Sequence, residues 1–288
     1  MSREYKITGF ADEIDGKLDV QIESLNKLGI KYVEMRGVDG NNLIFHDNAK
    51  VSEIKKKLDN AGISLSALGS PLGKIGITDA FEKHFDEFKR AIEIAHMMDT
   101  RNIRMFSFYI PGDSKEARAK YKDDVFDRIG KFVDYAKKND AVLMHENEKG
   151  IYGEKAPECK ELMDEFACEN FRAIFDFANF VQAEQDTLEA YGLLKRYISY
   201  IHIKDAIWGS GKVVPVGYGD GNVKKILDDL FCNGFDGFLS LEPHLFEFKG
   251  LAELEKGGNK TEIDASRNLT GFEAFSLAHE SLLKILQQ

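Results

Sequence analysis

Short β-rich runs alternate with amphipathic helical stretches along the whole of this 288-residue chain, and no linker interrupts the rhythm. Eight runs carry the branched and aromatic residues of strands: "YKITGF" (5–10), "KYVEMR" (31–36), "ISLSAL" (63–68), "NIRMFSF" (102–108), "AVLMHE" (141–146), "FRAIFDF" (171–177), "ISYIHIKD" (198–205) and "GFLSLE" (237–242). Between them, "LDVQIESLNKLG", "VSEIKKKLDNAG" and "FEKHFDEFKRAIEIAHMM" repeat apolar residues with the 3.6-residue period of a helix. "LNKLGI", "LDNAGI" and "LFCNGF" each end a helix at Gly and enter a strand directly, as a C-cap followed by a short αβ loop requires. This alternation calls for parallel strands with crossover helices. Eight such units in one chain make a closed cylinder the expected fold: α/β, a single (β/α)8 TIM barrel over residues 1–288. A doubly wound open sheet is the alternative, but the first βα turn, "GFADEIDG", lacks the G-x-G-x-x-G phosphate-binding loop. The polar excursion "KGLAELEKGGNKTEIDASRN" (249–268) reads as either a lid or a solvated surface loop, ahead of a final helix at about 270–286.

Composition narrows the function. With 39 Lys and Arg against 49 Asp and Glu, the net charge of −10 repels phosphate backbones, so nucleic acid is not an expected partner. The start "MSREYKITGF" has no apolar signal segment and no run approaches the ~20 apolar residues of a membrane span, so a soluble cytoplasmic protein is expected. Three cysteines, Cys159, Cys168 and Cys232, form no C-x-x-C pair, which fits a reducing compartment and argues against a cysteine-built zinc site.

A TIM barrel carries its active site at the C-terminal ends of its strands, so the last inward residues matter most. In "YISYIHIKD" alternation puts Ile201 and Ile203 on one face and Tyr200, His202 and Lys204 on the other. Strand five ends at Glu146, strand six at Asp176, strand seven carries His202 and strand eight ends at Glu242, whose parity with Phe238 and Ser240 points it into the barrel. Strands ~4.8 Å apart bring these four groups together. Three carboxylates so close repel one another, and a divalent cation relieves that repulsion. Three oxygen donors and one imidazole suit Mn²⁺, Mg²⁺ or Co²⁺ and permit Zn²⁺. The bland alternative is a salt-bridged rim with Lys204, Arg172 or Arg104 as counter-charges.

"HENEKGIYGE", "FDFANF", "HIKD" and "SLEPHL" resemble the sugar isomerase and epimerase superfamily with the xylose-isomerase-like TIM barrel, which includes endonuclease IV, ketose 3-epimerases and inosose dehydratases. The resemblance implies one metal held by Glu146, Asp176, His202 and Glu242, with Glu146 and Glu242 also serving as acid/base groups on opposite faces of a sugar carbon. Such a metal stabilises an ene-diolate while the carboxylates move the proton. Departures limit the analogy. Many relatives carry D-x-x-H at strand six, where this chain has Asp176 and Asn179; ketose 3-epimerases place an arginine after the strand-seven histidine, where this chain reads "AIWGSGK" (206–212). Endonuclease IV-type sites need several further histidines, whereas His84, His96 and His279 fall on apparent helices.

Other residues near the strand ends form the candidate substrate site: Glu34, Arg36, Ser70, Lys74, Arg104, Asn179, Lys204, Trp208 and His244. Several cations in an acidic protein could clamp a phosphate or carboxylate. "PVGYGDG" (215–221) reads as a tight turn and helix entry. The expected function is a divalent-metal-dependent isomerase or epimerase of a small-molecule sugar or sugar phosphate. The alternatives are a keto-cyclitol or polyol dehydratase on the same metal site and a non-catalytic sugar-binding barrel. Pairing of the barrel into a homo-oligomer is compatible with the sequence.

Overall fold

The computed structural model describes residues 5–112, 114–247 and 269–288, so the 249–268 excursion lies outside the described residues. Eight parallel strands form the barrel: β1 Lys6–Gly9, β2 Tyr32–Met35, β3 Ser64–Leu72, β4 Asn102–Met105, β5 Val142–Glu146, β6 Phe171–Asp176, β7 Ile198–Ile203 and β8 Phe238–Leu241. Their order around the sheet is β1-β8-β7-β6-β5-β4-β3-β2, and β1 meets β2 across the seam of a nearly closed cylinder. The strand boundaries differ from the expected ones chiefly in β3, which continues through Gly69, Ser70 and Pro71 to Leu72, and in β4, which stops at Met105.

The outer layer comprises α1 Leu18–Lys27, α2 Asn48–Asn60, α3 Phe81–Met97, α4 Lys115–Lys138, α5 Ala156–Phe166, α6 Phe177–Gln182, α7 Thr187–Leu194, α8 Val223–Cys232 and α9 Gly271–Leu286. Local chemistry starts and stops them. Asp47 and Ser114 accept hydrogen bonds from Lys50 N and Ala117 N at the starts of α2 and α4, and Thr270 with Glu273 forms a capping box on α9. The glycines of "LGI", "AGI" and "NGF" (Gly29, Gly62 and Gly234) take the positive φ that closes a helix before a strand.

Strand parity separates two packed regions. Leu143, Ile201, Ile203, Leu239 and Leu241 face outward into the large core beneath the helices, whereas Ala67, Met144, Ile174 and Tyr200 form a small apolar plug inside the cylinder. Residues two further along β5 to β8 must then crown that plug. They are Glu146, Asp176, His202 and Ser240, with Glu242 just past the last ladder pair.

The end of β3 is held by a close backbone approach. Gly73 has φ +85°, and a Cβ there would lie 1.9 Å from the Phe106 carbonyl oxygen. Gly73→Ala is therefore expected to destabilise the protein by about 2 kcal/mol or more. Gly192→Ala, inside α7 with open space around it, should be neutral or stabilising by up to about 1 kcal/mol. Urea titration of the two variants checks the contrast; equal effects would contradict this account of the β3 turn.

Candidate metal centre

Four consecutive strands deliver Glu146, Asp176, His202 and Glu242 to one place. Each offers a ligand atom, those atoms all lie within 4.8 Å of one another, and all four residues are buried. His202 Nδ1 is 2.8 Å from Glu146 Oε1, 3.7 Å from Glu242 Oε2 and 3.8 Å from Asp176 Oδ2. Asp176 divides its oxygens: Oδ1 accepts from Asn179 N at the start of α6 (2.8 Å), while buried Oδ2 accepts no hydrogen bond although Lys204 Nζ lies 3.1 Å away.

Cations surround the group. Lys204 Nζ donates to Glu242 Oε2 (2.9 Å), Arg104 Nη1 to Glu146 Oε2 (3.0 Å) and Arg36 Nη1 to Glu242 Oε1 (3.0 Å). Arg36 is in turn gripped by Asp12, through Nε (2.8 Å) and Nη2 (3.2 Å), and its Nη2 reaches Glu13 (3.4 Å). Phe10, fully buried past the end of β1, is the shared platform. The Arg36 and Arg104 guanidinium carbons lie 4.4 and 4.8 Å from its ring centre, and the His202 ring meets it edge-on at 5.3 Å.

These surroundings split the acidities. Burial would raise the Glu146 carboxyl, but His202 and Arg104 bring it down to about 2. Burial likewise opposes ionisation of Glu242, yet Lys204, His244, His202 and Arg36 hold it well below the usual carboxylate range. Asp176 goes the other way: burial raises it to about 7 against the pull of Lys204, helped by Glu146 and Glu242. His202 is lifted well above the ordinary imidazole range because Glu146 and Glu34 outweigh its burial.

The donor set fits a divalent cation. Three carboxylates and one imidazole offer ligand atoms within 4.8 Å of one another, and Asp176 Oδ2, which accepts no hydrogen bond among the described residues, lies 3.8 Å from His202 Nδ1. Glu13, Glu242 and His244 also cluster within ligand reach, but Arg36 already serves both of those glutamates.

The remaining candidate residues are distributed unevenly. Glu34 is not on the rim: it is fully buried under His202, 3.2 Å from Nε2. Ser70 is also buried, with Oγ donating to the Arg104 carbonyl, so it ties the end of β3 to β4. Lys74 pairs with Glu148 (2.9 Å) over the Phe106 ring. Asn179 donates through Nδ2 to Asn147 O (2.9 Å) and approaches Glu146 Oε1 (3.4 Å). His244, at φ +47°, donates its backbone N–H to Glu13 Oε2, and its ring lies beside Glu13 and Glu242. Trp208 is 48% exposed on the loop after β7. Arg172, offered as a counter-charge, lies at the opposite end of β6 and donates to Arg196 O, whereas Lys204 and Arg104 do pair with the acidic group. Phe10, Asp12, Glu13, Asn147 and Glu148 were not legible as site residues. "GFADEIDG" held the signal for Asp12 and Glu13, an acidic pair shortly after the first strand.

The xylose isomerase-like TIM barrel family profile matches residues 22–266, and the chain belongs to that family. A curated relative, the uncharacterized protein YihM of Escherichia coli K12, is 34% identical over 88 residues, 28% of this chain, and the match spans only about a quarter (27%) of that relative's length. Among solved structures, a D-tagatose 3-epimerase-like protein superposes with TM-score 0.72 at 16% identity, covering 98% of both chains. The IolI protein with a bound zinc atom also gives TM-score 0.72, at 17% identity and 98% of both chains. At such identities these two likenesses establish the fold alone. Among the described residues, no helix is long and apolar enough to cross a membrane.

Lys204 draws on the same two oxygens, Asp176 Oδ2 and Glu242 Oε2, that face His202 Nδ1. An ammonium there competes with a bound cation. Lys204→Met is therefore expected to melt earlier than the parent without metal, having lost the ammonium shared by two buried carboxylates, yet to bind Mn²⁺ about tenfold or more tightly. Titration calorimetry with thermal melts checks both halves; weaker Mn²⁺ binding would contradict the shared-oxygen geometry.

Proposed function

We propose that this member of the xylose isomerase-like TIM barrel family is a divalent-metal-dependent sugar isomerase or epimerase, with Glu146, Asp176, His202 and Glu242 as the metal ligands. The observation that carries the reading is the convergence of Glu146 from β5 and Glu242 from β8 on one buried point, with Asp176 and His202 between them. Mn²⁺, Mg²⁺ or Co²⁺ suits this oxygen-rich set and Zn²⁺ is admissible; bound there, the ion would supply Lewis-acid stabilisation of negative charge developing beside a carbonyl.

The chain's own groups do the rest. Glu146 and Glu242 each have one oxygen fixed by an arginine, and a sugar carbon placed between them would have a carboxylate proton acceptor within reach. Delivery of the proton so taken by the same carboxyl to the neighbouring carbon would be isomerisation; epimerisation would require the facing group to start protonated and give its own proton to the opposite face of the same carbon, while the first keeps the one it took. Asn179 and Lys204 present N–H donors beside the two carboxylates, where they would orient hydroxyl or carbonyl oxygens. The plug of Met144, Ile174 and Tyr200 below keeps water from approaching through the barrel.

The substrate reading favours an uncharged sugar. Arg36, Arg104, Lys204 and Lys74, the cations that would clamp a phosphate, each meet a carboxylate at 2.8 to 3.0 Å.

Metal-reconstituted protein incubated with a panel of ketoses and keto-cyclitols in D₂O should incorporate deuterium next to the carbonyl without loss of water. A dehydrated product would assign the same site to a dehydratase, and no exchange across a broad panel would contradict both. Glu146→Gln and Glu242→Gln are each expected to lower kcat by about 10²-fold or more. Turnover surviving both changes would eliminate the two-carboxylate mechanism.

A further inference from the structure

The carboxylates that face the site leave one acidic group unexplained. Glu34 is fully buried in β2 and lies on the far side of His202 from the other carboxylates. Its Oε2 is 3.2 Å from His202 Nε2 and accepts from Ser240 Oγ at 2.7 Å. Ser240 is the in-register neighbour of His202 on β8. Beside them the hydroxyls of Thr8, Ser66 and Tyr200 form a chain of 2.8 and 2.9 Å contacts, Thr8 lying in register with Ser240. The imidazole is thus held at both nitrogens, Nε2 by Glu34 and Nδ1 toward Glu146, Asp176 and Glu242.

We propose that Glu34 is a positioning residue that accepts the His202 Nε2 proton, fixes that ring's tautomer and orientation, and so presents the Nδ1 lone pair to the cation. The inference rests on the metal-centre reading above. A ring nitrogen can ligate a metal only where it carries no proton, and a carboxylate on the other nitrogen settles which one that is while raising the ring's basicity. Substrate contact is not the alternative, because Glu34 meets His202 at Nε2, on the other side of the ring from Glu146, Asp176 and Glu242. The alternative is a buried ion-pair partner that serves folding alone.

Metal affinity separates the two. Mn²⁺ binding to the full chain, followed by the electron paramagnetic resonance signal of free Mn²⁺, should weaken about 10- to 100-fold in Glu34→Ala. Glu34→Gln, isosteric and still able to accept the Nε2 proton through its amide oxygen, should weaken it less. The decisive arm is the pair with His202→Gln: in that background Glu34→Gln should change Mn²⁺ affinity by less than twofold, because the residue it acts through is gone. Should Glu34→Ala fail to fold, the Glu34→Gln and His202→Gln cycle decides alone. Unchanged affinity in Glu34→Gln, or an equal loss with and without His202, would overturn the positioning role. A parent protein that takes up no Mn²⁺ would instead overturn the proposed function, and this inference with it.

Discussion

Negative charge crowded at the C-terminal mouth of the barrel is the constraint on which the rest of the structure depends. Four neighbouring strands end in acid or imidazole, and carboxylates taken out of water within a few ångströms of one another are tolerated only with opposite charge beside them. The chain meets that need in layers. Lys204 bridges Asp176 and Glu242, Arg104 takes Glu146, and Arg36 takes Glu242 while being held from behind by Asp12. Among the described residues Asp176 Oδ2 accepts no hydrogen bond, and the Lys204 ammonium lies 3.1 Å from it. Its place among three other potential ligand atoms is the feature that makes the cluster a candidate cation site.

Rigid apolar packing makes such a charge cluster hold its geometry. Phe10 contacts both guanidinium groups and the His202 ring, and the chain makes room for it at Gly69, where a Cβ would lie 2.7 Å from the Phe10 ring. Asp205, one residue past Lys204, accepts backbone N–H groups from Gly217, Gly219 and Gly221 and thereby ties the 215–221 loop to the end of β7. An aromatic ring under the charged groups and a glycine-rich loop after β7 thus both help to hold His202 and the end of β7 in place.

Much of the barrel could be read from period and punctuation, because β-strands and crossover helices impose different repeats and the glycine C-caps mark where one gives way to the next. The four strand-end groups were legible for the same reason: parity along β8 puts Phe238, Ser240 and Glu242 on one face, and the fold dictates which end is used. Parity could not tell depth. Glu34 and Arg36 share a face of β2, yet the first lies buried under His202 and the second reaches up to Asp12 and Glu242. Nor could it reveal tertiary partners: Asp12 and Glu13 stand on a loop without periodicity, and their role appears only when β1 and β2 close the cylinder and bring Arg36 between them. The cations suggested for a phosphate clamp illustrate the same limit, since sequence shows their charge and only the fold shows the carboxylates opposite.

The central claim is that four donors from adjacent strands define one cation position. Anomalous diffraction at the manganese edge from Mn²⁺-soaked crystals tests it most directly. The account predicts a single strong peak bounded by Glu146, Asp176, His202 Nδ1 and Glu242; a peak elsewhere in the barrel, or none at that point at saturating Mn²⁺, would contradict it.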